Sequence, residues 1–250
     1  MFDLFGDENT TNLPFELPDD PAFSVIDDEK NNGFRIKVPN GELFYAEHYF
    51  DEQLSNRCVE YFLENDSNTA ITDNWHEYSK EALLTVPFKN IQWQHDKLNM
   101  YGKTIYLPRY SAWYGDNDKP YTYSGLTLQP KPWNKGLLYI KEKIEAVTPE
   151  IFNSVLMNWY RDGDDYINWH TDAESELGKN PTIASANFGE TRDFILKHND
   201  TGIKIKIPLK HGSLLVMSGA LQHHWQHSVP KRKKVKGARF NLTFRTIKKS

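Results

Sequence analysis

The chain has 250 residues, of which 26% are charged and 14% aromatic, and its formal net charge is −4. This length is sufficient for one large domain with a buried core. No run approaches the ~18 apolar residues of a membrane-spanning helix, and the N-terminus lacks the basic and then apolar pattern of a signal peptide. The single cysteine, Cys58, excludes an intramolecular disulfide. We therefore expect a protein of the cytoplasm, nucleoid or nucleus that does not bind membranes.

Charge is distributed unevenly along the chain. Residues 1–30 carry nine acidic side chains, one lysine and three prolines, which predicts a flexible acidic arm in front of a folded domain at 31–250. Its first apolar residues, Met1–Phe5, either dock on that domain or form a short linear motif. Asp3-Leu4-Phe5 resembles the core of peptides that bind bacterial sliding clamps, so a sliding clamp is one candidate partner.

The C-terminal end is basic instead. From Val229 to Ser250 there are nine lysines or arginines and no acidic residue. Local potential, and not the total charge, decides whether a surface attracts phosphates. The run at 231–234 and 236 is therefore either a solvated loop or a nucleic-acid contact, and we favour the contact.

The first half of the chain predicts scattered elements. Hydrophobic periodicity and turn residues indicate, in chain order, a strand at 34–38, a turn at 39–41, a helix at 51–63, an insertion at 64–90, a hairpin within 91–107 and a helix from 132 to about 148. The hairpin tip carries Met100 and Tyr101. Exposed apolar side chains of this kind enter a base stack, although a tip folded against its own domain is an equal alternative.

The second half predicts a β-rich core. Short strands separated by Gly, Asn and Asp turns are indicated at 154–160, 182–188, 192–197, 203–208, 213–218 and 238–246. Short strands without crossover helices are typical of two facing sheets, so we predict a mixed α/β protein with a double-stranded β-helix (jelly-roll) core at about 152–247 and N-terminal helices.

A candidate metal site follows the first of these strands. His170 and Asp172 are two residues apart on extended backbone, so their side chains point to the same face. A distant histidine would complete the two-His-one-carboxylate set that leaves three positions open on Fe(II). His223, His224 and His227 are all candidates for that third ligand, whereas His198 and His211 sit at predicted turns and are expected at the surface.

The last strand offers a polar face. Residues 239, 241, 243 and 245 share one side of it, and two of them, Arg239 and Arg245, are arginines. The planar guanidinium suits bidentate binding of a carboxylate. A solvated edge face is the alternative.

These residues resemble, in order and spacing, the signature of the AlkB family of Fe(II)- and 2-oxoglutarate-dependent nucleic-acid demethylases. The signature consists of Asn158-x-Tyr160, His170-x-Asp172, His227 and Arg239-x5-Arg245. The resemblance extends over roughly 98–247 and is closest to the subgroup typified by the second and third human AlkB homologues.

The resemblance implies the cofactor and the co-substrates. Fe(II) would be held by His170, Asp172 and His227, the last preferred because its His-Ser-Val-Pro context matches the family. The co-substrates would be 2-oxoglutarate and O2. Residues expected to hold 2-oxoglutarate are Asn158, Tyr160, Arg239, Asn241 and Arg245, with Arg239 and Tyr160 at the distal carboxylate. Which arginine binds which carboxylate stays open.

The resemblance also implies a nucleotide-recognition lid at about 91–125 and a pocket for a flipped base. Tyr123 and His170 would sandwich the base, with Tyr121 and Glu174 near its edge. The expected substrate-binding residues are Tyr101, Gly102, Arg109, Tyr121, Tyr123, Ser124, Glu174, Lys231, Arg232, Lys233 and Lys234.

The implied activity is oxidative demethylation of 1-methyladenine and 3-methylcytosine in single- or double-stranded DNA, releasing formaldehyde, with RNA as a further substrate. We expect a monomer. The turn at 198–202 is short for the subgroup, which leaves a preference for duplex DNA open. Two alternatives are an oxygenase of the same fold that acts on a protein or a small molecule, and a catalytically inactive binding module.

Overall fold

A computed structural model describes residues 12–66, 78–79, 82–83, 85–100, 103–117, 121–123 and 126–248. The helices are α1 Glu52–Leu63, α2 Lys135–Glu145 and α3 Leu221–His224. The strands are β1 Ser24–Asp28, β2 Gly33–Val38, β3 Gly41–Ala46, β4 Lys97–Met100, β5 Lys103–Tyr106, β6 Tyr110–Gly115, β7 Tyr121–Tyr123, β8 Leu126–Leu128, β9 Ser154–Tyr160, β10 Ile167–His170, β11 Ile183–Gly189, β12 Arg192–His198, β13 Lys204–Leu209, β14 Leu214–Gly219, β15 Trp225–Val229 and β16 Arg239–Arg245.

Two antiparallel sheets form the core. Eight of the described strands make a major sheet in the order β1-β2-β3-β14-β11-β16-β9-β6, and four make a minor sheet in the order β10-β15-β12-β13. Apolar side chains from both sheets share one buried cluster, which includes Leu215 of the major sheet and Leu196 of the minor sheet. The two sheets therefore face each other, as the jelly-roll prediction requires.

The major sheet is buried on both faces. Its second face packs against α1 and α2 in a separate cluster that contains Phe62, Leu137 and Phe240. Along β16 the apolar residues Phe240, Leu242 and Phe244 point toward these helices, because alternate residues of a strand face opposite ways. All seven residues of β16 are buried. Its polar residues therefore face the minor sheet from inside the protein, which excludes the solvated edge face considered for Arg239 and Arg245.

Two of the helices, α1 and α2, begin at residues whose side chains cap the first helical turn. Asp51 accepts a hydrogen bond from Leu54 N at 2.8 Å and caps α1, while Asn134 accepts one from Leu137 N at 3.0 Å and caps α2. Side-chain oxygens at this position satisfy backbone donors that the first helical turn leaves free. Cys58 of α1 is buried, and burial raises the pKa of its thiol to about 12. It is a core residue, as its helical pattern predicts.

Part of the predicted flexible arm is packed. Strand β1 pairs along its whole length with β2. Upstream of it, Leu13, Phe15 and Leu17 pack against the cluster between the sheets, and the ring of Phe15 meets that of Tyr45 at 5.2 Å. Residues 13–28 thus differ from the expected arm because their alternating apolar side chains find a surface to cover. Residues 1–11 lie outside the described residues.

Two small hairpins flank β6. In the first, β4 pairs with β5 and Met100 lies opposite Lys103, so a hairpin occurs where 91–107 predicted one. In the second, β7 pairs with β8 and Tyr123 lies opposite Leu126. The role of these hairpins as a lid over a nucleotide stays a prediction. In the described part of the chain, no helix is long and apolar enough to span a membrane.

Candidate metal and co-substrate site

The minor sheet brings the two halves of the predicted metal site together. His170 at the end of β10 lies directly opposite His227 of β15 in the strand register, and their ring centroids are 4.2 Å apart. Asp172 follows two residues after His170. One donor atom from each of these three residues lies within 4.8 Å of the other two. Two imidazoles and one carboxylate at this spacing are able to hold one divalent metal ion.

Neighbouring groups orient the three side chains. His170 Nδ1 donates to the carbonyl oxygen of Asn168 at 2.8 Å, which leaves Nε2 facing Asp172 Oδ1 at 3.9 Å. Gln222 Oε1 accepts a hydrogen bond from the backbone N of Asp172 at 2.9 Å, and Arg245 Nη2 donates to Asp172 Oδ2 at 2.7 Å. Partners of this kind fix the tautomer and the direction of a metal ligand.

Electrostatics hold the ligands in the forms that bind metal. Burial, reinforced by the repulsion that a protonated His170 would exert, lowers the pKa of His227 to about 3. Burial also lowers the pKa of His170. For Asp172, burial would raise the pKa, but the Arg245 guanidinium together with His227 and His170 outweighs burial and holds the pKa well below its usual value. At neutral pH the site therefore presents two neutral imidazoles and one carboxylate.

A buried cation lies in the same cavity, on the face of the major sheet. Arg239 is 1% exposed, its guanidinium carbon lies 5.0 Å from the centre of the Tyr160 ring, and Nη2 donates to Asn187 Oδ1 at 2.6 Å. Its Nε and Nη1 have no hydrogen-bond partner among the described residues. Burial, together with repulsion from Arg192, lowers its pKa to about 10. An anion would satisfy these donors.

The remaining predicted co-substrate residues line the cavity between Arg239 and the metal triad. Asn158 and Asn241 lie opposite each other on β9 and β16, and Asn241 Nδ2 donates to Ser185 Oγ at 2.8 Å. The cavity has a volume of about 40 Å³. It brings together Asn158, Tyr160, His170, Asp172, His227, Arg239, Asn241 and Arg245.

The residues predicted to bind the nucleic acid have different environments. Arg109 is buried in the cavity wall and its Nε donates to Asn158 Oδ1 at 2.9 Å, so a contact with the nucleic-acid strand stays a prediction. Glu174 is half-buried just before a 3-10 turn. Tyr121 and Tyr123 lie on β7. Tyr101, Gly102 and Ser124 lie outside the described residues.

The basic loop after β15 is only partly free for phosphates. Lys231, Lys233 and Lys234 are exposed, and Lys231 Nζ lies 4.7 Å from the centre of the Tyr166 ring. Arg232 is already engaged, because its Nε donates to Asp193 Oδ2 at 2.9 Å. A phosphate would have to compete with this ion pair for Arg232.

Two buried polar residues support the site without having been predicted. Gln222 of α3 holds the backbone of Asp172, as described above. Arg192 of β12 donates to three backbone carbonyls: Asp162 and Asp165, both at 2.9 Å, and Pro230 at 2.7 Å. It thereby ties the loop before His170 to the segment after His227. The only sequence signal is an Arg in the stretch Thr191-Arg-Asp-Phe194, which does not distinguish this role from a surface one.

The polar atoms left over in the cavity fit an iron ion and a dicarboxylate. Asp172 Oδ1 and His227 Nδ1 are buried and have no hydrogen-bond partner in the described part of the chain, and neither have two nitrogens of Arg239. Buried polar atoms are rarely left unpaired. A metal ion would use the free Oδ1 of Asp172. A carboxylate of the co-substrate would accept hydrogen bonds from the two free nitrogens of Arg239.

Comparison with known protein families agrees with a site for iron and a dicarboxylate. Residues 60–245 match the model of the 2OG-Fe(II) oxygenase superfamily. The chain belongs to this superfamily, whose cofactor is Fe(II) and whose co-substrates are 2-oxoglutarate and O2.

Individual relatives are more specific. The chain is 46% identical over 159 residues to the human protein named DNA oxidative demethylase ALKBH2, covering 60% of this chain and 61% of that protein. It is 47% identical over 154 residues to the Bos taurus alpha-ketoglutarate-dependent dioxygenase alkB homolog 3, covering 58% and 53%. It is 35% identical over 187 residues to the Arabidopsis thaliana DNA oxidative demethylase ALKBH2, covering 64% and 59%. The chain thus spans about half to two thirds of the length of these relatives.

Proposed function

We propose that this protein removes N-methyl groups from 1-methyladenine and 3-methylcytosine in DNA by oxidation, restoring the base and releasing formaldehyde. One observation carries the proposal: a single cavity combines the His170–Asp172–His227 group with a buried arginine that has free donors. The names of the relatives, which include DNA oxidative demethylases, support DNA as the substrate.

In this proposal His170, Asp172 and His227 hold the iron. When bound, Fe(II) supplies the O2 chemistry that couples decarboxylation of 2-oxoglutarate to hydroxylation of the methyl group. Asp172 offers Oδ1, because Oδ2 is occupied by Arg245. Gln222 and Asn168 keep the carboxylate and an imidazole in position through the hydrogen bonds described above.

We assign the distal carboxylate of 2-oxoglutarate to Arg239. Its Nε and Nη1 are unpaired and are adjacent donors of one planar guanidinium, which suits a bidentate carboxylate. Arg245 is a weaker candidate for that role, because its Nη2 is already paired with Asp172. Arg245, Asn158 and Asn241 would instead orient the end of the co-substrate nearer the metal, and Tyr160 would support Arg239.

The methylated base would reach the cavity by flipping out of the strand. Tyr123 and the ring of His170 are proposed to stack on it, with Tyr121 and Glu174 at its edge. The exposed lysines at 231, 233 and 234 would bind flanking phosphates. The proposal extends to RNA as a second substrate, to a sliding clamp as partner of residues 1–5, to a monomeric state and to a location in the cytoplasm, nucleoid or nucleus.

The test measures formaldehyde release and base restoration together. Oligonucleotides carrying 1-methyladenine or 3-methylcytosine, as single-stranded DNA, duplex DNA and RNA, are incubated with the protein, Fe(II) and 2-oxoglutarate. We expect repair of at least one DNA substrate, and no repair by the His227→Ala variant. Succinate formation with an intact methylated base in every DNA substrate would retain the oxygenase and reject DNA demethylation.

A further inference from the structure

A second group of metal-ligating side chains lies apart from the cavity. It consists of His198 at the end of β12, Asp200 in the turn that follows, and His224 at the end of α3. One donor atom from each residue lies within 4.8 Å of the other two, the same limit that the His170–Asp172–His227 group meets. His198 is 6% exposed, which corrects the prediction that it is a surface residue.

Backbone hydrogen bonds hold the three residues in one rigid unit. The turn is closed by His198 N to Ile203 O at 2.9 Å and by Gly202 N to His198 O at 3.0 Å. Gly202 has φ +71°, a conformation that glycine adopts without strain. Asn199 then joins the turn to α3, because its backbone N donates to His224 O at 2.8 Å. Little ordering would therefore be needed for the donors to share one ion.

His198 is oriented as metal-binding histidines usually are. Its ring packs edge-on against Trp225, with centroids 5.0 Å apart. Its Nε2 lies 3.2 Å from the amide oxygen of Asn40, which only accepts, so Nε2 carries the proton. Nδ1 then carries the lone pair and faces the turn, where its partner is the backbone N of Thr201 at 3.3 Å. A histidine that donates one ring N–H to an oxygen atom keeps its other ring nitrogen available to bind a metal.

A metal ion at this site would displace only one weak hydrogen bond. The bond from Thr201 N to His198 Nδ1 is at the long end of the hydrogen-bond range, so its loss sacrifices little. His224 is half-buried and its ring is nearly parallel to that of His198, at 15° with 6.2 Å between centroids. Asp200 is exposed, and one of its carboxylate oxygens already lies within 4.8 Å of a ring nitrogen of each of the two histidines.

We propose that His198, Asp200 and His224 form a second metal site, which takes a divalent transition metal such as Zn²⁺. Two imidazoles and a carboxylate, with water completing the shell, are ligands that Zn²⁺ accepts readily, whereas Mg²⁺ and Ca²⁺ prefer oxygen ligands throughout. The site would be structural in effect. A metal there would fix the end of α3, the helix that also carries Gln222 and through it the backbone of Asp172.

The test counts metal ions. Untagged, metal-stripped full-length protein is dialysed against a low concentration of Zn²⁺ and its metal content is measured by atomic emission. We expect two Zn²⁺ ions per wild-type chain, because the His170–Asp172–His227 group also binds Zn²⁺, and one per chain in the His224→Ala variant. Asp200→Asn changes an exposed side chain only and should lower the occupancy of the second ion without affecting the fold.

The matched control is His223→Ala. His223 neighbours His224 on the same helix, is exposed, and contacts the carbonyl oxygen of Lys179, but does not belong to the group. It should retain both ions, and thermal unfolding of all variants reports whether the fold is intact. One Zn²⁺ per wild-type chain, or two in folded His224→Ala, would overturn the proposal. Because the experiment measures metal content, it tests the second metal site independently of whether the protein demethylates DNA.

Discussion

Replacing Arg239 with methionine should weaken 2-oxoglutarate binding strongly while leaving the folded protein almost as stable as before. Loss of binding and loss of stability normally occur together, because a residue at the centre of a protein usually contributes to both. They separate at Arg239 because its guanidinium is buried, carries a charge and has donors that the protein itself does not use.

The structure sets the magnitudes. In the absence of ligand, Arg239→Met loses the hydrogen bond to Asn187 and the cation–π contact with the Tyr160 ring, worth about 1 kcal/mol each. It also removes a buried cation whose pKa is lowered to about 10, and this lowering corresponds to a penalty of roughly 3 kcal/mol. The terms nearly cancel. With ligand, loss of a buried charge pair costs about 2–5 kcal/mol, which corresponds to roughly 30- to 5000-fold weaker binding of 2-oxoglutarate.

Arg192→Met provides a matched control. Arg192 is equally buried and its guanidinium also lies near the Tyr160 ring, at 5.8 Å. However, it donates to three backbone carbonyls, and its removal would leave them unpaired. We expect this variant to lose about 3–5 kcal/mol of unfolding free energy.

The assay combines urea unfolding, with and without 2-oxoglutarate, and calorimetric titration of the co-substrate into protein loaded with a redox-inert divalent metal. We expect 2-oxoglutarate to raise the unfolding midpoint of the wild type but not that of Arg239→Met. The reasoning is refuted if Arg239→Met is destabilised as much as Arg192→Met, or if it binds 2-oxoglutarate with unchanged affinity.

Three further predictions concern the metal ligands and the hairpin. His170→Ala or Asp172→Ala should abolish demethylation of a methylated oligonucleotide without changing the circular dichroism spectrum, and normal turnover in either variant would overturn the metal assignment. Tyr101→Ala should slow repair of duplex DNA more than repair of single strands, because only a duplex leaves a gap in the base stack when a base flips out. Equal losses on both substrates would contradict insertion of Tyr101 into the base stack. The metal-stripped protein should lose stability as the pH falls below 6.5. In that range His227 is protonated in the unfolded chain but stays neutral in the folded protein, because burial lowers its pKa to about 3. The expected loss is about 2 kcal/mol between pH 6.5 and 5 by urea unfolding, and an equally steep profile in His227→Gln would contradict this cause.

Much of the β core could be predicted from the sequence because its determinants are local. The strand predicted at 154–160 coincides with β9 Ser154–Tyr160, and the one predicted at 213–218 lies within one residue of β14. Turn residues between short apolar runs define such strands regardless of their partners. The His-x-Asp spacing is local in the same sense.

The rest depends on contacts between distant parts of the chain. Gln222 and Arg192 are polar residues that look exposed in the sequence, and only the packing of α3 and β12 makes them buried partners of the site. His198 lies at a turn, where exposure is the usual outcome, but the Trp225 ring covers it. Leu13, Phe15 and Leu17 lie in an acidic stretch that predicts a flexible arm, and only the cluster between the two sheets gives them a surface to cover.

The pairing of β3 with β14 has a consequence for how the protein folds. Residues 41–46 pair with residues 214–219, which lie 168 to 178 positions further along the chain. Closing so long a loop is slow compared with forming hairpins such as β12–β13. All four strands of the minor sheet, by contrast, lie between residues 167 and 229. We therefore expect the histidines to meet before the major sheet is complete, so that during this interval the edge of β14 is open and a chaperone or high dilution improves the yield of refolding.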